Sequence, residues 1–174
     1  MITMVRPGTG EYVEDFAGYV AEIADEEDVL AVLARQLDEL PARLGSLPES
    51  RGDYRYAPGK WSVKDIVGHL ADTERVFAFR ALWIGRGERA AQPSYDDQAW
   101  VPEAGAERRA LPEMVDDWTH VRRATLSLFR PLAPDAWARR GTAGDGPITV
   151  RALAYVIAGH TRHHLRVLEA RYLG

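Results

Sequence analysis

Four stretches of this chain repeat apolar residues every three to four positions, and no run of alternating β-branched residues stands out. That contrast decides the fold class. A period of about 3.6 residues makes a one-sided helix, whereas a period of two makes a one-sided strand. The first stretch follows the acidic run 25–28, suited to a helix N-terminus, and carries Leu30, Leu33, Leu37, Leu40 and Leu44; Pro41 is expected to kink or restart it. The second opens at Ser62, with Asp65 three residues on as a variant capping box and Trp61 and Ile66 spaced as a hydrophobic staple. It runs through Leu70, Phe77, Trp83 and Ile84 and should stop near Gly85 or Gly87. The third covers roughly 108–130, with Leu111, Val115, Trp118, Val121, Thr125, Leu128 and Phe129 on one side. The fourth is capped by Thr149, pairs Ile148 with Leu153 as a second staple, and continues through Val156, Ile157, Val167 and Leu168 to the C-terminus.

Around these lie connections punctuated by Pro and Gly, at 45–60, 88–107 and 131–148, all expected to be irregular. The 88–107 segment is long for a loop inside a compact domain, which fits either a functional loop or a crossover. Residues 1–24 read as a strap followed by one or two helical turns, from the spacing of Tyr12, Phe16, Tyr19, Val20 and Ile23. The expectation is an all-α four-helix bundle with an N-terminal strap and two long connections, residues 1–174 forming one domain.

Composition removes several functions. With 174 residues, 46% of them hydrophobic, the chain can bury a core without staples. It has no cysteine, which excludes disulfides, zinc–thiolate sites and a thiol nucleophile of its own. A net charge of −4 lacks the basic footprint of a nucleic-acid binder. No apolar run is long enough to span a membrane and residues 1–10 lack a signal-peptide core, so a cytoplasmic protein is expected. Phosphate-cradling and serine-hydrolase signatures are missing as well.

The histidines carry what remains. His160 and His164 are four apart and so lie one above the other on a helix face, on the stripe that holds Leu153, Ile157, Val167 and Leu168. His69 shares a face with Ile66, Leu70, Thr73 and Phe77 and should also point inward; His163 sits at the edge of its stripe, and His120 reads as surface. Two readings fit this pattern. The three are separately hydrogen-bonded core histidines, or they share one metal ion with a coordination position left open, the arrangement of catalytic sites. Thr161 after His160 is not the Glu of a zinc-protease motif. Asp72 could flank the site, with Asp65 and Glu74 nearby, though a solvated face is the plainer reading for all three. Arg80 could receive an anion, but is expected to extend to solvent, and the Arg pairs at 108, 122 and 139 read as solvated faces.

The segments Tyr56-Ala57-Pro58-Gly59-Lys60-Trp61-Ser62-Val63-Lys64-Asp65 and Gly68-His69-Leu70-Ala71-Asp72-Thr73-Glu74-Arg75, together with Gly159-His160-Thr161-Arg162-His163-His164, resemble the DinB family in its YfiT-like metal-binding branch. The Arg6-Pro7 strap and the Asp97-Gln98-Ala99-Trp100 loop extend the resemblance over nearly the whole chain. It implies a four-helix bundle in which His69, His160 and His164 hold a divalent metal, zinc or nickel. Homodimers are common in the family. It includes transferases that use low-molecular-weight thiols such as bacillithiol or mycothiol, a mycothiol-dependent isomerase, and members described as metal-dependent hydrolases. The expected function is therefore metal-dependent transfer of a thiol cosubstrate to a small electrophile, free of nucleic acid and membrane. Hydrolysis by metal-bound water and a non-catalytic metal-binding dimer are the alternatives.

Overall fold

The computed structural model describes residues 5–144 and 146–173, so the first four residues of the strap lie outside it. Two 3₁₀ turns, Thr9–Glu11 and Glu14–Phe16, lead into α1 (Ala17–Ala21), α2 (Val29–Leu44), α3 (Glu49–Gly52) and α4 (Val63–Gly85). Then follow α5 (Asp97–Glu103), a 3₁₀ turn (Ala106–Arg108), α6 (Leu111–Phe129) and α7 (Pro134–Trp137). Strands β1 (Arg140–Ala143) and β2 (Gly146–Thr149) precede α8 (Val150–Leu168), which closes in a π-helical turn, Glu169–Leu173.

The caps set the helix starts. Ser62 Oγ accepts from the Asp65 amide at 3.0 Å, and Asp65 Oδ2 accepts from the Ser62 amide at 2.8 Å, a reciprocal box. Thr149 Oγ1 accepts from Ala152 N at 3.2 Å, and Asp28 Oδ1 from Leu30 N at 2.8 Å. Of the acidic run, then, Asp28 caps α2. Glu27 instead joins Arg162 of α8 at 2.8 and 2.9 Å. Helix α2 passes through Pro41 unbroken, since a proline in the last turn forfeits only one hydrogen bond. Helix α6 starts at Leu111 rather than near residue 108, because Ala106–Arg108 forms its own turn.

Two apolar clusters fill the bundle. One gathers Val29–Leu33 of α2, Phe77–Ile84 of α4, Leu126 and Phe129 of α6, and the first half of α8. The other gathers Leu40 and Leu44, Val63–Ala71, Leu111–Trp118, and Leu165 and Leu168. Between them each helix contributes buried polar side chains: Gln36, Thr73 with Glu74, Arg122 with Thr125, and His160 with Thr161. The order in which each helix visits the clusters fixes its direction: α2 and α8 run one way, α4 and α6 the other. Helices α4 and α6 pack side by side, and each of α2 and α8 packs on α6 and α4 respectively. Two consecutive long helices that run parallel need a connection spanning the bundle, so the 86–110 segment is a crossover, and it carries α5.

The connections expected to be irregular carry short elements: α3 lies in 45–60, α5 in 88–107 and α7 in 131–148. The stretch 140–149 is an antiparallel hairpin pairing Gly141 with Ile148, not irregular chain. Pro147 sits on its edge strand and the hairpin is only four residues deep, too short to show alternation. The Asp97-Gln98-Ala99-Trp100 loop is the start of α5, capped by Asp96 Oδ1 on the Ala99 amide at 3.0 Å.

Candidate metal centre

Helix α4 supplies His69 and α8 supplies His160 and His164 to the edge of the polar layer. One ring nitrogen from each lies within 4.8 Å of the other two. His69 Nε2 is 2.9 Å from His160 Nε2, and His164 Nε2 is 3.1 Å from the same atom. His160 is 5% exposed and His69 6% exposed.

This convergence is poorly served by protons. A neutral imidazole nitrogen carries either one proton or one in-plane lone pair. His160 Nε2 can therefore complete a well-directed bond with one neighbour, not both. A cation at the common point would take all three lone pairs. Zinc–nitrogen bonds of about 2.0–2.1 Å at 90–109° separate neighbouring nitrogens by about 2.8–3.4 Å, which spans the two separations found. Burial, reinforced by the neighbouring rings, pushes the His164 pKa down to about 3 and His160 well below the usual imidazole value; burial likewise lowers His69. All three lone pairs are thus free at neutral pH. The donor set suits a divalent cation of borderline softness.

The surroundings hold the rings in place. Trp61 packs on His69 and lies nearly parallel to His164, centroids 4.7 and 6.3 Å away. Tyr19 sits edge-on to His160 at 5.1 Å. That contact depends on Gly159, because a Cβ there would stand 1.9 Å from the Tyr19 carbonyl oxygen of α1. Below His160, Thr161 Oγ1 accepts from Arg122 at 2.9 Å. Arg122 also grips both oxygens of Glu74, at 2.7 and 2.8 Å. His163 stays outside the triad, edge-on to Tyr19 at 5.6 Å. His120 is exposed.

Several acids and bases are not where the sequence put them. The carboxylate nearest His69 Nδ1 is Asp97 of α5, at 4.0 Å, with Thr73 Oγ1 at 3.5 Å. Asp72 acts on His69 only through its charge. No local pattern could find Asp97, since it arrives on the crossover. Asp65 and Glu74 are buried in capping and ion pairing rather than solvated, and Arg122 is wholly buried rather than on a solvated face. Arg80 is also buried, so it does not extend to solvent.

Two clefts reach the triad. One, about 380 Å³, is lined by His160 with Phe16, Tyr19, Phe77, Arg80 and Tyr95. The other, about 270 Å³, is lined by His164 with Tyr56, Trp61, Gln98 and Tyr172. A larger open depression, about 610 Å³, lies at the hairpin around Arg139, Arg140 and Thr142 and includes none of the histidines.

Fold and site together define a helical bundle with a three-histidine cluster, two of its rings buried, whose donor set could hold a metal ion. The chain belongs to the DinB superfamily, whose family model matches residues 33–168. It is 26% identical over 142 residues to "Putative metal-dependent hydrolase YfiT" of Bacillus subtilis, covering 74% of this chain and 76% of that protein. A Geobacillus thermodenitrificans protein named "Putative metal-dependent hydrolase" is 29% identical over 106 residues, and the match spans 59% of this chain and only 58% of that protein. The solved YfiT structure, described as a four-helix bundle of unusual topology, superposes with a TM-score of 0.76 at 22% identity, over 93% of this chain and 92% of that one. A mycothiol-dependent maleylpyruvate isomerase superposes with a TM-score of 0.68 at 13% identity, over 89% of this chain and 62% of that one. These two likenesses establish the fold. Among the described residues no helix is long and apolar enough to cross a membrane.

Proposed function

We propose that the chain is a metal-dependent enzyme in which His69, His160 and His164 hold a divalent ion, zinc or nickel, and deliver a low-molecular-weight thiol such as bacillithiol to a small electrophile. One observation carries this reading: two separate clefts end on the triad, one at His160 and the other at His164. A transferase needs two ligands at one centre, and an ion held only for structure needs neither cleft. When bound, the metal would lower the pKa of a thiol or water in its open position and make a nucleophile at neutral pH. Because the chain has no cysteine, the thiol must come from a cosubstrate. The protein's own groups position and shield. Asp97 stands 4.0 Å from Nδ1 of His69, where its negative charge favours a proton on Nδ1 and so leaves Nε2 free. Trp61 and Tyr19 wall the histidines from water.

Hydrolysis by metal-bound water is the second reading, favoured by the names of the two sequence relatives. The same proposal takes the enzyme to act as a cytoplasmic homodimer on a small molecule, without nucleic acid or membrane. The deciding experiment begins with elemental analysis of protein purified without an affinity tag. Conjugation of a haloaromatic electrophile is then followed with bacillithiol, with glutathione and with no thiol, each with and without chelator. Turnover that needs both metal and thiol supports the transferase. Equal turnover without thiol rejects it for the hydrolase, and protein that holds no metal rejects both.

A further inference from the structure

Among the described residues, the buried lysine and arginine side chains are Lys64, Arg80 and Arg122. Two of them have carboxylates. Lys64 pairs with Glu49 and Asp53, and Arg122 with Glu74. Arg80, 5% exposed, has none among the described residues; its one hydrogen bond goes from Nη2 to the Pro93 carbonyl at 2.8 Å. Its guanidinium otherwise lies by the rings of Phe77 and Tyr95, each at 5.5 Å. A cation held out of water without a counter-charge is costly, and a carbonyl and two ring faces compensate it only in part. Burial accordingly pushes its pKa below the ordinary arginine value.

The position of this charge gives it meaning. Arg80 lines the cleft that ends on His160. It stands eleven residues after His69 on α4, three turns plus about 20°, so both lie on one helix face, about 16 Å apart in helix rise. Thr73 and Phe77 occupy the turns between them and line the same cleft. The walls are apolar and aromatic, from Phe16, Phe77 and Tyr95. The cleft therefore has a cation at one end, an aromatic middle, and the metal-binding triad at the other. Asp15 and Asp97 also face into it and would repel a dianion.

We propose that this cleft is the subsite for a small monoanionic carboxylate, its acid group paired with Arg80, its apolar body along Phe77 and Tyr95, and its reacting end toward His160. The seat for the acid stands on Arg80 alone; only the fate of the reacting end rests on the metal-dependent reading above. The alternative role for Arg80 is to pin the crossover through Pro93, and that role is indifferent to the charge of a ligand.

The test uses 4-phenylbutanoate as probe, with the neutral 4-phenylbutanamide and inorganic phosphate as comparisons. Binding to zinc-loaded protein is measured by calorimetry, and in wild-type protein the Arg80 side-chain Nε–H resonance is followed. The acid should bind saturably at millimolar concentration and shift that resonance, while amide and phosphate bind at least tenfold more weakly. Arg80→Gln should weaken the acid about 10- to 100-fold, the range for losing a hydrogen bond to a charged group, and Arg80→Lys should lose less. Equal binding of acid and amide, tighter binding of phosphate, a silent resonance, or unchanged affinity in Arg80→Gln each overturns the proposal. The resonance measurement needs no variant, so a misfolded Arg80→Gln leaves the test intact. Repeating the titration on chelator-treated protein separates the two readings: acid binding that survives upholds the subsite whether or not the triad proves to hold metal.

Discussion

Replacing Arg122 by methionine should remove much of this protein's stability. The side chain is 0% exposed and all five of its N–H groups are used. Nε and Nη2 hold Glu74, Nη1 reaches the Leu33 carbonyl and Gln36, and Nη2 also donates to Thr161. Its guanidinium carbon stands 4.8 Å from the centroid of the Trp118 ring. Methionine restores most of the packing and none of the charge. Glu74, 2% exposed, is then a buried carboxylate without its cation, which costs about 3–5 kcal/mol. Set against a total of about 5–15 kcal/mol, that is a large share. At a urea slope of about 1–3 kcal/mol/M it moves the unfolding midpoint down by roughly 1–5 M. The assay is urea unfolding followed by circular dichroism. Arg122→Met combined with Glu74→Leu should recover at least half of the loss, because the buried charge goes with its partner and only the contacts to Leu33, Gln36, Thr161 and the Trp118 ring stay broken. A single variant costing under about 1 kcal/mol, or a double variant as unstable as the two singles summed, would refute the reasoning.

His160→Ala should lose bound metal, whereas His163→Ala should keep it, with the metal content of both read by elemental analysis; metal retained by His160→Ala contradicts the triad. Chelator-treated protein should lose stability as pH falls from about 6.5 toward 3. Free imidazoles titrate near 6.5 while His164 is held at about 3, so in that window the unfolded chain binds more protons and stability rises with pH. A melting temperature that does not change between pH 7 and 5 would count against buried neutral histidines. Metal-loaded protein should retain its ion below pH 6.5, a lower limit than free histidine would set, and equilibrium dialysis at pH 5.5 checks it. Gly159→Ala should push α1 off α8, because its methyl group would meet the Tyr19 backbone; a loss of several kcal/mol with reduced metal retention is expected, and wild-type behaviour in both denies the close approach.

The local signals in this sequence were strong where one segment decides the outcome. Ser62 with Asp65, and Thr149 with the Ile148 and Leu153 staple, place the starts of α4 and α8 to the residue, and the spacing of His160 and His164 on an apolar stripe puts both on the inner face. What escaped is what only packing decides. Arg122 sits beside Arg123 in a run of charges, and nothing local separates the wholly buried one from the exposed one. The difference comes from Glu74, 48 residues away on another helix. The hairpin at 140–149 escaped for the opposite reason: four-residue strands containing Gly and Pro have too few positions to show a period.

Asp97 shows why the crossover and the site belong to one problem. Parallel neighbours α4 and α6 need a connection long enough to travel the length of the bundle, and a short loop would have forced them antiparallel. That connection lies across the edge of the polar layer, beside His69. Asp97 of α5 comes against His69 on one side, and Tyr95, just before α5, against Arg80 on the other. The two sequence readings of the 88–107 segment, functional loop and crossover, are therefore not rivals. The topology demands the length, and the length delivers a carboxylate to one end of the cleft and an aromatic wall to the other.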